Sequence, residues 1–318
     1  MTIYPQVVGL AFTQTTVPDM LTNKKMNFIN NNTHPKSYVL TADIGGSHIT
    51  SALFDVNARM VVDDTIQRVE FSSKTSADRI LDAWCKCLLG SFAAKWPDPL
   101  GVAIAMPGPF DYEQGICYIK GLNKYEALYG LNIRKALSGR LGVPPERIQF
   151  RNDAESTIAG EVSRLTGTKV LGVTLGTGFG SALFDGRTTR DINLGSERHK
   201  DSIADDYFST RWFLKRYFEQ TGISVTGVKE LAALANDHPT AKVIFNEFAV
   251  NLSDFLMPYL SDLQPDLLIL CGNITKASNY FIRNLRKRLP VKVEIGALGE
   301  IAPLKGAVEL FQPLYEPF

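Results

Sequence analysis

The stretch VLTADIGGSHITSALFD at residues 39–55 is echoed by VLGVTLGTGFGSALFD at residues 170–185. Both copies open on Val-Leu, reach a glycine six residues on, at Gly45 and Gly176, and close on the same pentapeptide, Ser51–Asp55 and Ser181–Asp185. The opening residues read as an apolar strand, the glycines as a tight turn, and the pentapeptide as the returning strand. A hairpin stated twice predicts a duplicated sheet unit, one in each half of the chain.

The surroundings fit a duplicate. After the first copy, ARMVVDDTIQRVEF reads as a third strand, completing a three-strand meander. SADRILDAWCKCLLGSFAAKW then places Ile80, Leu81, Trp84, Leu88 and Phe92 at helical spacing, with Ser76 as N-cap. LGVAIAMPG is a buried strand stopping at Pro-Gly, YGLNIRKALSGRLG a helix, and RIQFRNDAES a strand running into a helix. The second half repeats this grammar. Its hairpin is followed by an aromatic-faced helix over Ile203–Gln220, two further helices, the buried strand PDLLILCGNI, the helix SNYFIRNLRKRL and a closing helix over 303–318. The expected fold class is α/β, two similar lobes with a cleft between them.

The 318 residues suffice for two cores, and 45% hydrophobic with 21% charged residues is the composition of a globular chain. A formal net charge of +1 argues against a nucleic-acid coat or a polybasic membrane binder, and no apolar run approaches the ~18 residues of a membrane span. Cys85, Cys87, Cys117 and Cys271 have neither zinc-knuckle nor redox-pair spacing, so free buried thiols in a reducing cytoplasm are expected. Residues 1–36 differ in character. They lack a signal-peptide pattern and read as an extension ending in the linker-like Asn30-Asn31-Asn32.

The glycine turns carry the chemistry. A tip made of Gly45-Gly46-Ser47 brings backbone N–H groups close to an anion because no Cβ blocks the approach, and Gly176-Thr177-Gly178 offers the same. Two tips from two lobes would clasp one nucleotide's phosphates. Taken singly, each is equally a plain glycine hairpin. No GxxxxGK[ST] occurs, and strands rather than helices follow the glycines, which excludes the P-loop and fits dinucleotide binding poorly. Asp43, just before the first tip, stands where Mg²⁺ would be held, directly or through water. Asp153 ends a strand and opens a helix; it reads as a general base for an attacking hydroxyl or as a simple helix cap.

In order, DIGGSHI, AMPGPFD, FRNDAES, LGTGFG, ILCGNI and ALGEIAPLKGA resemble the ROK family of bacterial sugar kinases and repressors, from about Ser37 to the end. The resemblance implies two ribonuclease-H-like lobes of the actin-like ATPase group: a small lobe over 37–157 with the closing helix, and a large lobe over 158–302. It implies ATP and Mg²⁺ as cofactors and a hexose as substrate, glucose by default, with mannose, fructose, N-acetylmannosamine and allose open. Asp43, Gly45, Gly46 and Ser47 match the first phosphate motif, and Gly176, Thr177, Gly178 and Gly180 the second. Gly272 matches the adenosine motif, whose second glycine is here Asn273. Asn152 and Asp153 match the pair in which Asn holds a sugar hydroxyl and Asp is the base. Pro107 and Gly108 match the turn that borders the sugar pocket, Asn123 falls in the loop beyond it as a further substrate-site candidate, and a homodimer is the family habit.

Two departures stand out. The family's Glu-x-Gly-His becomes Glu197-Arg198-His199, and the cysteine-rich zinc motif that should follow is missing. Glu197 and His199 are therefore sugar-site candidates, with an exposed idle histidine as the alternative for His199. An acidic turn and the aromatic helix stand in place of the zinc loop, so no zinc is expected. The expected function is a hexose kinase. A non-catalytic sugar-binding regulator of the same family is the alternative, whereas 36 leading residues are too few for the repressors' DNA-binding head.

Overall fold

The computed structural model describes residues 37–92 and 99–311. The reading of residues 1–36 therefore lies outside the described residues. The first sheet comprises β1 (Tyr38–Ile44), β2 (His48–Asp55), β3 (Met60–Val61), β4 (Gln67–Glu70), β5 (Val102–Met106) and, beyond a small hairpin of β6 (Phe110–Asp111) and β7 (Ile116–Cys117), β8 (Ile148–Asn152). The second comprises β9 (Val170–Leu175), β10 (Phe179–Phe184) and β11 (Thr189–Asp191), then, beyond a small hairpin of β12 (Arg198–His199) and β13 (Ser202–Ile203), β14 (Leu267–Cys271) and β15 (Lys292–Ile295).

The echo in sequence is an echo in space. The first sheet runs β3-β2-β1-β5-β8 and the second β11-β10-β9-β14-β15, each an antiparallel meander continued by two parallel strands. Even the register repeats: Val39 faces Phe54 and Leu40 faces Leu53, as Val170 faces Phe184 and Leu171 faces Leu183. The central parallel strands β5 and β14 are buried along their whole length, as sheets covered on both faces require.

Helix α1 (Ala77–Ser91) packs its apolar stripe on the first sheet, with Trp84 fully buried in edge-on contact with Phe71 and Tyr125. Ser76 occupies its N-cap position but makes no side-chain cap bond. Helix α2 (Ile133–Leu141) is capped by Asn132, which accepts from the Lys135 N–H, and ends on Gly142 at φ 71°. Helix α3 (Asp153–Val162) runs from the end of β8 to the second sheet, where Ile158 and Val162 join the core of Val170, Ala182 and Ile269.

Helices α4 (Ala204–Tyr207), α5 (Thr210–Thr221), α6 (Val228–Leu234), α7 (Pro239–Leu263) and α8 (Ile282–Arg288) build most of the second half, and α9 (Ala302–Ala307) returns to the first sheet. There Leu304, Ala307, Val308 and Phe311 cover Val39, Ala52, Ala103 and Ala105. Helices α3 and α9 cross in backbone contact. A methyl group on Gly160 would collide with the Ala302 carbonyl, and one on Gly306 with the Ser156 carbonyl. Only glycine permits that approach.

The structure corrects five expectations. The third strand of the first meander is broken by a 3₁₀ turn at Asp63–Thr65, so β3 and β4 pair separately with β2. The helix expected over Ile203–Gln220 breaks at Ser209, whose φ of −111° and ψ of 166° are extended, leaving α4 and α5. Residues Asn273–Tyr280 form a 3₁₀ segment, so the helix there starts only at Ile282. The fifth strand, β15, was not foreseen. The closing helix ends at Ala307 and passes into a 3₁₀ turn over Val308–Phe311; residues 312–318 lie outside the described residues.

Candidate active site

Register brings the first set of candidates together. Asp43 on β1 lies beside Ala105 on β5, Ala105 beside Arg151 on β8, and Met106 beside Asn152. All three strands run parallel, so their carboxyl ends open on one edge. At the usual strand spacing, Asp43 and the Asn152–Asp153 pair stand roughly 10 Å apart in the sheet. Their side chains interact electrostatically: the charge of Asp153 disfavours ionisation of Asp43.

Asn152, not Asp153, caps α3. Its side-chain oxygen accepts from the N–H groups of Ala154 at 2.9 Å and Glu155 at 3.1 Å. Its amide donates to the Tyr112 hydroxyl at 3.2 Å, which donates in turn to the Met106 carbonyl at 3.1 Å. A methyl group on Gly108 would stand 3.3 Å from that same hydroxyl. Tyr112 thus ties the buried Pro107 and half-buried Gly108 to Asn152, and one amide hydrogen of Asn152 is left for an acceptor.

Relieved of capping, Asp153 keeps one side-chain bond, from the Ala154 N–H at 2.9 Å. Burial raises its pKa; that N–H and the charge of Lys124 act against the rise, and Asp191 adds to it. Asp43 is pushed up to about 7, chiefly by burial, then by the charges of Asp153 and Glu300, with Arg68 opposing. Arg68 and Glu300 pair at 3.2 Å across a long sequence separation.

The first glycine tip is open. Gly46 and Ser47 are exposed, and a methyl group on Gly46 would meet nothing within 4 Å. The Gly45 carbonyl accepts from the Tyr125 hydroxyl, so the tip is anchored to the loop that carries Asn123 and Lys124. Asn123 and Tyr125 sit at φ 58° and 59°, and Asn123 is exposed. The second tip is braced from α4 and α5. The Gly176 carbonyl accepts from the Thr210 N–H at 2.7 Å, the Thr177 carbonyl from Arg211 at 2.9 Å, and the Phe179 N–H donates to Asp205 at 2.6 Å. This bracing is the reason for the helix break at Ser209. Gly180 has a packing role: a methyl group there would collide with the Ala154 side chain, so glycine lets β10 reach the first turn of α3 beside Asp153. Gly272, at φ 88°, lies against Leu175 at the end of β9, which sets it next to Gly176.

Glu197 and His199 belong to the second half. Glu197 is exposed, follows a turn whose Gly195 abuts the Phe179 carbonyl, and its charge is felt by Tyr259. His199 is not the exposed side chain of the alternative reading. It is half-buried among Tyr207, Phe208 and Phe255 at ring distances of 4.8, 5.2 and 5.4 Å, with its Nε2 enclosed and unpartnered. Burial, then the charge of Lys200, lowers its pKa. No contact joins either residue to Asn152 or Asp153 among the described residues. There too, no three His, Cys, Asp or Glu side chains gather to hold a metal, and no helix is long and apolar enough to cross a membrane. All four cysteines are buried and free, as expected.

Tyr112, Tyr125, Lys124, Asp205 and Arg211 escaped the sequence reading. Their partners lie far off along the chain, and no spacing rule announces them.

Two duplicated sheets, glycine turns at the carboxyl ends of their first strands and a paired carboxylate edge define a two-lobed α/β fold of the actin-like ATPase type. Residues 39–190 match the profile of the ROK family. A search of curated protein sequences returned no match. Among solved structures, the fold is similar to that of a ROK family glucokinase from Streptomyces griseus in complex with glucose and AMPPNP. The TM-score is 0.70 at 21% identity, over 86% of this chain and 99% of that one. It is also similar to an inorganic polyphosphate/ATP-glucomannokinase from Arthrobacter sp. strain KM, with TM-score 0.65 and 22% identity over 88% of this chain and 100% of that one. A ROK family transcriptional regulator, a homologue of the E. coli MLC protein, aligns with TM-score 0.70 and 16% identity, over 87% of this chain and 78% of its own.

Proposed function

We propose that this protein is a sugar kinase that transfers the γ-phosphoryl group of ATP to a hexose hydroxyl with Mg²⁺, glucokinase-like in its chemistry. The observation that carries the reading is Asp153: a carboxyl of raised pKa, relieved of capping by Asn152, on the same edge as Asp43 and reached through Gly180 by the second glycine hairpin. A raised pKa brings a carboxylate nearer the working pH, where it is a better proton acceptor.

In this reading Asn152 donates its free amide hydrogen to a sugar hydroxyl, and Pro107, Gly108 and Asn123 border the sugar. Asp153 takes the proton of the attacking hydroxyl on a carboxylate oxygen as the new O–P bond forms. The N–H groups at Gly45-Gly46-Ser47 and at Gly176-Thr177-Gly178 hold the phosphates from opposite lobes, and Gly272 borders the nucleoside. Asp43 suits Mg²⁺: the ion needs one or two carboxylates plus phosphate oxygens and water, and a carboxyl whose ionisation is disfavoured by burial, and then by the charges of Asp153 and Glu300, gains from a cation. The bound ion would neutralise charge on the phosphates. Glu197 and His199 complete the sugar side if the lobes close on the ligand.

The same reading takes 37–157 with the returning α9 segment as the small lobe, 158–302 as the large lobe, and the working form as a cytoplasmic homodimer that binds neither nucleic acid nor membrane. A non-catalytic sugar-binding regulator of the family is the second reading, favoured by the likeness to the transcriptional regulator and by the seat of His199 in an aromatic cage. A coupled assay of ADP release across hexoses and N-acetylhexosamines, run beside thermal-shift titration with the same sugars, separates the two. Sugar-dependent turnover supports the kinase; sugar binding without turnover supports the regulator.

A further inference from the structure

We propose that Arg151 is a positioning residue for this transfer, a buried clasp that ties both sheets and the returning C-terminal segment to the first turn of α3 and thereby aims Asp153. The inference rests on the kinase reading above for its chemical consequence, though not for its geometry.

Arg151 lies on β8, two residues before Asp153, and only 8% of it is exposed. Four donor contacts fan out from its guanidinium. Nε donates to Glu155 on α3 at 2.8 Å, and Nη1 to the Gly306 carbonyl on α9 at 3.0 Å and to Glu309 at 2.9 Å. Nη2 donates to the Thr189 carbonyl on β11 at 2.9 Å. The partners come from the first turn of α3, from α9 and the 3₁₀ turn after it, and from the edge strand of the second sheet. One side chain of the first sheet therefore grips α3, the α9 segment and the edge strand of the second sheet where α3 and α9 cross.

Stability alone does not call for a charge there. A buried ion pair is often replaced by apolar groups at no loss, because desolvation offsets the attraction. A guanidinium does what apolar packing cannot: its planar fork fixes four acceptors in direction as well as distance. Turning one sheet against the other about the crossing must stretch the bond to Thr189 or drag the fork with it. The fork holds Glu155, and Glu155 shares its helical turn with Asp153. The angle between the lobes and the direction of the Asp153 carboxyl are thus linked through a single residue.

The test uses Arg151→Lys, which keeps the charge but has three donors on a flexible stem, and Glu309→Gln, which removes one charged partner and keeps its shape. Spin labels on cysteines introduced at the exposed Lys86 on α1 and Lys242 on α7 report the distance between lobes. Turnover is measured with ATP and the best hexose well below each variant's melting temperature. For Arg151→Lys the expected result is a broader interlobe distance distribution, kcat lower by about 10–100-fold and KM for both substrates within about threefold. Glu309→Gln should show both effects more weakly. Should Arg151→Lys melt earlier yet keep kcat within about twofold and an unchanged distribution, the clasp is only structural and the proposal is overturned. Should the wild-type chain phosphorylate no sugar, the kinase reading fails by itself. The distance measurement then judges the clasp: equal widths in wild type and Arg151→Lys overturn it.

Discussion

Replacing Asp43 by Asn should make the ligand-free protein more stable while removing its activity. In the native fold the Asp43 carboxyl is pushed up to about 7 from its usual 3.8, chiefly by burial and then by Asp153 and Glu300. Between those two values the native state holds a proton that the unfolded chain has released. Unfolding in this window releases a proton, so stability falls as pH rises from about 4 to about 7 and then levels off. A rise of about 3 units at about 1.4 kcal/mol per unit sets an upper bound of about 4 kcal/mol. Asp43 is half-buried at an edge open to water, and relaxation there roughly halves the figure, to about 2 kcal/mol. Asparagine carries no charge and escapes this cost. Urea unfolding in metal-free buffer should therefore find Asp43→Asn more stable by about 2 kcal/mol at about pH 8 and by a smaller margin at about pH 5. Magnesium with ATP should lift the wild type more than the variant, since the cation favours the ionised carboxylate. A stability gap that stays constant between the two pH values, or narrows as pH rises, would refute the reasoning.

Asp153→Asn should lower kcat by roughly 10²–10⁴-fold and leave sugar binding by calorimetry nearly unchanged, because only the proton acceptor is lost. Gly180→Ala should destabilise by roughly 1–3 kcal/mol in a denaturant titration, since its methyl group collides with Ala154, and should slow turnover by displacing α3. Small-angle scattering should show a more compact particle with a saturating sugar, as closure must keep water from the transferred group; superimposable profiles would count against closure. Elemental analysis should find no stoichiometric zinc, and a chelator should leave the melting temperature where it was; about one zinc per chain, lost together with stability, would overturn this.

The repeated hairpin carried most of the fold because a strand–turn–strand unit is local. Its apolar run, its glycines and its return are all within reach of one reading window, and doubling it implies the same sheet twice. What lay beyond the window was lost. The break at Ser209 exists so that Thr210 can hold the Gly176 carbonyl, a demand made by a residue far upstream; the aromatic spacing on either side of the break is continuous and reads as one helix. In β15, KVEI is short and follows the strongly basic end of α8, so no alternation long enough to register precedes the next turn. At the site, Asn152 and Asp153 were legible as a pair at a strand end. Which of them caps the helix was not, because both residue types cap and only the second bond, from the Glu155 N–H to the Asn152 side chain, separates them. Tyr112 and Tyr125 look like ordinary loop aromatics until the fold brings their hydroxyls to Asn152 and Gly45.

The return of α9 to the first sheet bears on the order in which the chain can finish folding. Synthesis delivers β1, β2 and β5 before any of the second sheet, yet the face made by Val39, Ala52, Ala103 and Ala105 is covered by Leu304, Ala307, Val308 and Phe311, which emerge only after all of that sheet. Until then the leading half keeps an apolar flank bare, and the trailing half, whose own core is complete without α9, is the half able to settle first. A ribosome stalled short of Ala302 would release a chain damaged in its first sheet rather than beside the point where synthesis stopped.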